Sequence, residues 1–510
     1  MKIMLMVPPY IDKQTVPGMR FEIKVEDLGL GYIQAYLRAM GYENTTVLHC
    51  PIEGIKIEDL RKIFVYEKPD CLGISISFES TDYIGGMRAA EIFKELYPNN
   101  KIFVGGQCAT FSYRRLMTDC GAIDYVVLSE GEVSVYELIK AIEYNEQVQE
   151  VPGIIYRTRN QDIAISRQRE LIANLDELPF PCRDTYIKNK PEFALIETSR
   201  GCWGKCRFCS VPAFFSFNKG SVWRTRSAGS IIAEIENIID RWGISSFDFV
   251  DDNFIGPGKR GIEKIQEFTN AIVSRGIKMQ FNIACRVDSI SAESLSLLKK
   301  IGLNKVYIGL ESGSDMTLKR YGKMVTARDN KRAVEIVKSL NLNAKLNFIM
   351  FDPWMTTEEL KETLQFIEDI DCYNYIHWSS ILNSYKPVLG TEMYDCLSHT
   401  YGALNESTYF SYPIVDKRVE HIREMGKIVS ATISRVYMIL ENKSDWHLTE
   451  KFKKLDDHLS RYLVRLMLFL IDGNVVDDFL LCQNITYGML FEMLRRYMGG
   501  DIFEKIATIM

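Results

Sequence analysis

The sequence predicts an α/β protein in three parts: a doubly wound, Rossmann-like N-terminal domain, a central partial (β/α)6 barrel and a small helical C-terminal domain. Apolar runs alternate with amphipathic stretches in residues 1–150 and again in residues 191–395, and this alternation ends near residue 400. Such alternation is typical of parallel sheets covered by helices. The length of 510 residues also exceeds that of one ordinary domain.

The N-terminal elements follow from the periodicity of apolar residues. Strands are predicted at residues 2–7, 45–49, 71–77, 101–104 and 125–128. Helices are predicted at residues 29–40, 57–66, 83–97 and 133–144. Ligands of doubly wound sheets bind beyond the carboxyl ends of the strands. Residues 75–78, 105–108 and 129–132 are therefore the predicted ligand loops.

A connector, residues 151–190, is predicted before the barrel because it contains Gly153 and the turn-rich segment 178–181. Six barrel strands are predicted at residues 193–198, 246–250, 279–284, 305–309, 345–350 and 376–382. Five helices are predicted at residues 228–241, 261–275, 291–301, 327–340 and 356–370. The active face of such a barrel lies at the carboxyl ends of its strands. Residues 396–510 form the predicted helical domain, with helices at 418–440, 449–471 and 488–497.

Composition excludes several classes of protein. The 62 basic and 67 acidic side chains give a formal charge of −5, which argues against broad electrostatic binding of nucleic acid. No apolar run reaches the length of a membrane-spanning helix, and the first ten residues are too short for a secretory signal. Nine of the twelve cysteines are scattered singly, as expected of reduced, buried thiols in a cytoplasmic protein.

The other three cysteines form the cluster that carries the chemistry. Cys202, Cys206 and Cys209 follow the first barrel strand with C-x3-C-x2-C spacing, beside Gly201 and Gly204. A loop of this kind can place three thiolates on a [4Fe–4S] cube and leave the fourth iron open for a small molecule. The alternatives are zinc, which usually takes four ligands, a regulatory disulfide, and coincidental core cysteines.

The spacing, with Phe208 before the last cysteine, resembles the CxxxCxΦC signature of radical S-adenosylmethionine (SAM) enzymes. The flanking segments resemble the subfamily with an N-terminal cobalamin-binding domain, which includes the class B radical SAM methyltransferases. This resemblance covers about residues 1–395. The segments that carry it are Glu197–Gly201, Trp223–Ser227, Asp251–Phe254, Ala284–Asp288 and Ile308–Ser314.

The resemblance implies that the open iron chelates SAM, which one electron cleaves to methionine and a 5′-deoxyadenosyl radical. It further implies that Phe208 lies against the adenine and that Asp251 or Asp252 binds the SAM ammonium. Arg286 would pair with the SAM carboxylate and Glu311 would bind the ribose hydroxyls. The structural alternatives are a turn cap for Asp252, an ion pair with Asp288 for Arg286, and a barrel-rim carboxylate for Glu311.

The N-terminal segments Pro8-Pro9, Gly29–Tyr32, Gly105–Thr110 and Ser129–Glu132 resemble the subfamily's cobalamin-binding domain. The cobalamin-binding residues that this implies are Ser75, Ser77, Gly105, Gly106, Gln107, Cys108, Ser129, Glu130 and Gly131. The mutase-type D-x-H-x-x-G motif is missing, since Cys50-Pro51 follows His49. We therefore expect cobalt without a His lower ligand; the alternative is a domain that has lost cobalamin. The alternative for Cys108 is a small buried thiol rather than a cobalt ligand.

Two loops depart from the family pattern. Asp352 and Trp354 follow the fifth predicted strand, and residues 385–391 follow the sixth. Their positions predict substrate contacts on the active face, with a packed lid as the alternative.

The resemblance implies a cobalamin-dependent enzyme, first of all a C-methyltransferase acting on an unactivated carbon of a natural-product intermediate or peptide. The second hypothesis is a cyclisation, rearrangement or ring contraction in which cobalamin donates no methyl group. The third is a non-catalytic iron–sulfur carrier or sensor, which usually has all four cluster positions filled. The expected partners are the substrate and an external electron donor of the flavodoxin or ferredoxin type, without nucleic acid or a membrane span.

Overall fold

The structure is a computed structural model that describes residues 1–10, 26–77, 79–402, 412–441 and 450–473, with residues 486, 488, 489 and 492. Most of the predicted helix 488–497, and the pair Trp446-His447, lie outside the described residues. No helix in the described part of the chain has the length and hydropathy needed to cross a bilayer.

A seven-stranded sheet forms the N-terminal part and confirms the doubly wound prediction. The strand order is β2-β1-β3-β4-β5-β6-β7. The strands are β1 (Ile3–Val7), β2 (Thr45–His49), β3 (Cys71–Ser75), β4 (Lys101–Gly105), β5 (Tyr125–Val127), β6 (Ile154–Arg157) and β7 (Ile163–Ile165). The first five are parallel, while β6 and β7 add antiparallel pairs at one edge. These last two strands lie within the predicted connector.

Six helices cover this sheet, and both of its faces are buried. They are α1 (Leu28–Ala39), α2 (Cys50–Glu53), α3 (Leu60–Glu67), α4 (Glu79–Leu96), α5 (Gln107–Asp119) and α6 (Glu132–Glu143). Successive residues of β1 enter different cores: Met4 and Met6 pack on one face, and Ile3 and Leu5 on the other. The prediction of a loop over residues 105–108 is wrong at its end, because Gln107 and Cys108 begin helix α5.

The barrel contains a five-stranded parallel sheet of order β14-β13-β12-β11-β8. Its strands are β8 (Ala194–Ile196), β11 (Ser246–Phe249), β12 (Gln280–Arg286), β13 (Leu303–Glu311) and β14 (Asn343–Phe348). The strands β9 (Ser199–Arg200) and β10 (Arg224–Thr225) form a short antiparallel pair, and β9 directly follows the carboxyl end of β8 in the chain. The barrel helices are α7 (Thr185–Lys188), α8 (Ser210–Phe215), α9 (Ala228–Trp242), α10 (Gly258–Arg275), α11 (Ala292–Lys300), α12 (Asp315–Arg320), α13 (Ala327–Ser339) and α14 (Thr357–Asp369).

The predicted sixth strand, residues 376–382, is wrong. Trp378–Leu382 forms a 3-10 helix, and within the described residues the pairing that follows it is an isolated bridge between Phe351 and Ser384. Local capping satisfies the backbone groups that a strand would use: His377 accepts from the Ser379 amide, and the Trp378 amide donates to Asp456. Side-chain bonds of this kind compete with strand pairing.

The C-terminal part is helical, as predicted, and contains α15 (Glu392–Tyr401), α16 (Lys417–Glu441) and α17 (Glu450–Ile471). Leu455, Leu459 and Leu463 of α17 belong to the same apolar core as the barrel strands. The Ser460 hydroxyl donates to the Ile376 carbonyl at 3.1 Å. Helix α17 therefore closes the barrel at the place where a regular sixth strand was predicted.

Candidate active site

The three clustered cysteines lie on a loop between β9 and α8. All three thiols are free and half-buried. Gly201 opens the loop with φ +78°, and a Cβ atom there would lie 2.0 Å from the Val222 carbonyl oxygen. Only glycine combines this left-handed backbone with so close an approach. The protein itself therefore fixes the backbone conformation at the start of the loop, without help from a bound cofactor.

The surroundings of the thiols suit an anionic iron–sulfur cluster. Arg286 Nη1 lies 3.3 Å from Cys206 Sγ, and the Gly204 amide lies 3.4 Å from Cys202 Sγ. Burial raises the pKa of Cys202, and raises that of Cys209 to about 12, so metal is needed to stabilise these thiolates. Among the described residues, no set of three or more Cys, His, Asp or Glu is arranged for a single ion. A cube instead places each thiolate on a different iron.

Arg286 forms the ion pair with Asp288 that was its structural alternative. Its Nε and Nη2 donate to Asp288 at 2.9 Å each, and Nη2 also donates to the Lys323 carbonyl at 2.9 Å. The guanidinium lies 5.7 Å from the centre of the Trp203 ring. In this structure it therefore braces the cluster loop, and its predicted pairing with the SAM carboxylate stays a prediction.

Asp251 and Asp252 have different surroundings, although they are adjacent. Asp251 is 3% exposed and accepts from the Thr198 hydroxyl at 2.7 Å and from the Ser199 hydroxyl. Lys264 supports it by donating to the Thr198 hydroxyl at 2.9 Å. Asp251 therefore holds the base of the cluster loop.

Asp252 instead is exposed. Although part of its surface meets water, the protein atoms around the carboxyl group partly desolvate it, and this desolvation, with the negative charges of Asp251 and Glu197, raises the pKa of Asp252 to about 7. A cationic ammonium group placed beside it would restore the carboxylate. Of the two candidates, Asp252 is the one available to a ligand.

Glu311 and Phe208 lie where the sequence predicted, at the strand end and on the cluster loop. Glu311 ends β13 at a register shift with φ +67°, and its carboxylate accepts from Lys323 Nζ at 2.7 Å. Strained non-glycine backbone of this kind clusters at functional sites. Phe208 packs edge-on against Tyr321, with ring centroids 5.4 Å apart.

Asp352, which follows the carboxyl end of β14, has the packed surroundings that were the alternative to a substrate contact. It is fully buried and accepts from the Tyr321 hydroxyl at 2.8 Å and from Arg320 Nη2 at 3.0 Å. Trp354 is half-buried and packs against the barrel core. The loop after β14 is therefore part of the barrel packing.

A cavity of about 330 Å³ separates the N-terminal sheet from the barrel. Eight of the nine predicted cobalamin-binding residues line it: Ser75, Ser77, Gly105, Gly106, Gln107, Ser129, Glu130 and Gly131. Cys108 does not, since its side chain lies in the apolar core beside Ser112. The loops at the strand ends thus meet at one site, as the parallel topology requires.

The chemistry of the cavity suits a flat macrocycle with amide side chains. A Cβ atom on Gly105 would meet no protein atom closer than 3.8 Å, so that glycine leaves its space to the cavity. Ser129 has φ +59°, and its buried hydroxyl has no hydrogen-bond partner among the described residues. Such a hydroxyl is available to an amide group of a ligand.

The sequence did not reveal that the barrel supplies the opposite wall. Glu197, Arg200, Phe214, Phe215 and Val250 line the cavity from that side. Arg200 directly precedes the cluster loop, and the two phenylalanines belong to the helix that follows it. Their proximity to the cysteines in the chain is a signal that could have identified them.

Arg200 joins the two walls through the buried Glu130 and Glu132, and it also pairs with the half-buried Glu197 of its own wall. It donates to Glu130 at 3.0 Å, to Glu132 at 2.6 Å and to Glu197 at 2.8 Å. Arg224 adds a second ion pair to Glu130 at 2.8 Å. Glu130, predicted to bind cobalamin, is thus already engaged between the two sheets.

Sequence comparisons agree with the two halves of this site. The Radical SAM superfamily model matches residues 196–367, and the B12 binding domain model matches residues 16–139. The chain is 29% identical to an uncharacterized methyltransferase of Pyrococcus horikoshii over 73% of this chain and 78% of that protein. It is 27% identical to 4′-phospho-dehydrooxetanocin synthase of Priestia megaterium, over 95% of this chain and 66% of the synthase.

Solved structures share the fold. The cobalamin-dependent SAM radical enzyme OxsB, with aqua-cobalamin and SAM bound, superposes with a TM-score of 0.79 at 21% identity, over 98% of this chain and 75% of OxsB. The methyltransferase TsrM of Kitasatospora setae, with cobalamin and a [4Fe–4S] cluster, gives 0.64 at 17% identity over 78% of each chain. With the matched domains and the geometry above, the chain belongs to the radical SAM enzymes that carry a B12-binding domain, and its cofactors are a [4Fe–4S] cluster, SAM and cobalamin.

Proposed function

We propose that the protein transfers a methyl group to an unactivated carbon of a small molecule or peptide. The observation that carries this proposal is the shared wall between the cavity and the cluster loop. Arg200 and Phe214, on either side of the cysteines, line the cavity that the N-terminal strand ends form. A methyl donor in the cavity and a radical generated at the cluster would therefore act in one enclosed space.

When bound, the cofactors supply a radical that removes hydrogen from the substrate and a methyl group that replaces it. The chain itself provides positioning. Cys202, Cys206 and Cys209 would hold the cluster, and Asp252 would bind the SAM ammonium. The Arg200 ion pairs would fix the spacing between the two sheets. Burial of this kind would also keep water from the radical.

The test is the product balance of the reconstituted enzyme. With SAM, a reductant and hydroxocobalamin, 5′-deoxyadenosine should form, and its formation should be lost in Cys206→Ala. A methyltransferase given its substrate should also form S-adenosylhomocysteine and a product heavier by one methylene group. Substrate turnover with 5′-deoxyadenosine but without S-adenosylhomocysteine would contradict methyl transfer.

A cyclisation, rearrangement or ring contraction without methyl transfer is the second candidate, and one observation favours it. Relatives of the chain include anaerobic magnesium-protoporphyrin IX monomethyl ester cyclases and a hopanoid C-3 methylase. The same product balance separates the two candidates.

We further propose a cytoplasmic location and an external one-electron donor of the flavodoxin or ferredoxin type. The free thiols of the cluster loop and the buried free thiols Cys71 and Cys285 support a reducing compartment. The candidate substrates are natural-product intermediates and peptides, which mass spectrometry of cells with and without an active cluster would separate.

A further inference from the structure

A patch of exposed lysines and methionines lies beside the cluster loop. It contains Lys205 of that loop, Met316 and Lys319 of α12, and Met324 of the turn that follows. The side chains of Met316 and Met324 are 66% and 81% exposed. We call these four residues the α12 patch. Met316 and Lys319 are three positions apart and so share one face of their helix.

The end of α12 is hydrogen-bonded directly to the cluster loop. The Arg207 amide donates to the Tyr321 carbonyl at 2.8 Å, and Arg207 Nη1 donates to the Arg320 carbonyl at 3.1 Å. The backbone of Gly322 is in contact with the same loop, since a Cβ atom there would lie 3.1 Å from the Lys205 carbonyl oxygen. Lys205 directly precedes the predicted cluster ligand Cys206 in the chain. The α12 patch therefore lies beside the predicted cluster site.

The patch has free positive charge on a chain whose net charge is −5. In the described structure, neither Lys205 nor Lys319 has a carboxylate within ion-pair distance. Of the nearby acidic groups, Glu392 pairs with Arg207 at 2.8 Å, and Asp315 accepts from the Ala327 amide at 2.7 Å while keeping its own negative charge. Exposed, unpaired cations of this kind attract an acidic protein over a distance of several ångströms.

The two methionines supply the apolar part of the patch. Methionine side chains are flexible and polarizable, and they are enriched in protein interfaces. Met324 has a backbone φ of +60°, in the left-handed region that non-glycine residues rarely adopt. A small apolar centre with surrounding lysines matches the small interfaces of transient redox complexes.

We propose that the α12 patch is the docking surface for a small acidic one-electron carrier protein. One electron leaves the reduced flavin or iron–sulfur centre of the carrier and enters the [4Fe–4S] cluster. The carrier departs oxidised, and no atom is transferred. This inference rests on the proposed radical function, because only that function needs an electron at the cluster.

The test uses the reconstituted enzyme and an acidic flavodoxin as the probe. The variant K319E/M324Q changes two exposed side chains outside the cluster loop. At low ionic strength it should bind flavodoxin at least about tenfold more weakly than the wild type, and the difference should shrink as salt is added. Cleavage of SAM driven by reduced flavodoxin should fall in parallel, while cleavage driven by dithionite should stay unchanged.

Two further variants complete the design. K205E should also weaken flavodoxin binding. K278E/K300E reverses two charges, one more than K319E/M324Q, at exposed positions before β12 and β13, at the opposite end of the strands, and should still behave as the wild type. Wild-type affinity in K319E/M324Q, or an equal loss in K278E/K300E, would overturn the docking surface. A wild-type enzyme that cleaves no SAM with dithionite would instead overturn the proposed function.

Discussion

At the scale of single residues, the adjacent carboxylates of Asp251 and Asp252 have different surroundings and different expected roles. Asp251 accepts hydrogen bonds from the hydroxyls of Thr198 and Ser199, whereas Asp252 is exposed. A buried carboxylate with several donors stabilises the fold, and an exposed carboxylate is available to a ligand. The two positions can therefore be separated by matched substitutions.

Asp251→Asn should lower the free energy of unfolding by about 1–3 kcal/mol, because a charged acceptor of several hydrogen bonds is lost. Asp252→Asn should change it by less than about 0.5 kcal/mol and weaken SAM binding about tenfold. Urea denaturation and titration of SAM into the reconstituted protein measure the two effects. Equal losses of stability in both variants would contradict this assignment.

The buried thiols predict a dependence of stability on pH. Burial raises the pKa of Cys285 and of Cys372 to about 12, from an ordinary value near 9. These thiols stay protonated in the folded state after they ionise in the unfolded chain. Their stabilisation is therefore fully present below pH 9 and is lost between about pH 9 and 12.

At pH 10 each of these two thiols should already have cost about 1.4 kcal/mol of the free energy of unfolding. Anaerobic urea denaturation at pH 8, 9 and 10 measures the fall. The variant C285A/C372A, although less stable at pH 8, should show a smaller fall with pH. The same slope in the variant and the wild type would show that other groups cause it.

At the scale of elements, the carboxyl end of β4 forms the floor of the cavity. Gly105, its last residue, has free space on the cavity side. Gly105→Val should therefore fold normally and take up cobalamin at least about tenfold more weakly, because its methyl groups occupy the ligand's space. Gly121→Val is the control, since a Cβ atom there meets no protein atom within 4 Å and Gly121 does not line the cavity.

The measurement is the corrin absorbance that stays with the protein after gel filtration, together with the midpoint of thermal unfolding. Normal uptake by Gly105→Val would show that cobalamin lies elsewhere. An equal loss of uptake in Gly121→Val would show that the effect is not local to the cavity.

At the scale of the whole molecule, Arg200 connects the two sheets. Arg200→Met would leave the buried Glu132 and the half-buried Glu197 beside a neutral side chain. Loss of one partner from a buried ion network typically costs about 3–5 kcal/mol. The exposed pair of Arg275 with Glu236 is the control, and Arg275→Met should cost less than about 1 kcal/mol. Urea denaturation of both variants measures the difference, and similar losses would contradict a buried connection.

Much of this architecture could be predicted from the sequence, because apolar periodicity marks strands and helices whose burial is local. The parallel strands of both sheets were found in this way, and the spacing of the three cysteines identified the cluster loop. Their position at strand ends then brought eight of the nine cobalamin candidates to one cavity.

The rest depends on contacts between distant parts of the chain. The strands β6 and β7 exist because an exposed sheet edge was available, and the sixth barrel strand was replaced by a 3-10 helix that Asp456 of α17 helps to hold. The different roles of Asp251 and Asp252 depend on Thr198 and Ser199, more than fifty positions earlier. No local pattern contains that information.

The junction between the two sheets has an evolutionary consequence. Gln107, in the first turn of α5, donates to the hydroxyl of Ser210, the residue after the last cluster ligand, at 2.7 Å. Phe111 of the same helix packs against Phe214 and Phe217. A change on either side must be matched on the other, so the halves should be inherited and recombined as a unit. We expect chimeras between relatives to fold only when helix α5 and the residues it contacts after the cluster loop, Ser210, Phe214 and Phe217, are exchanged together.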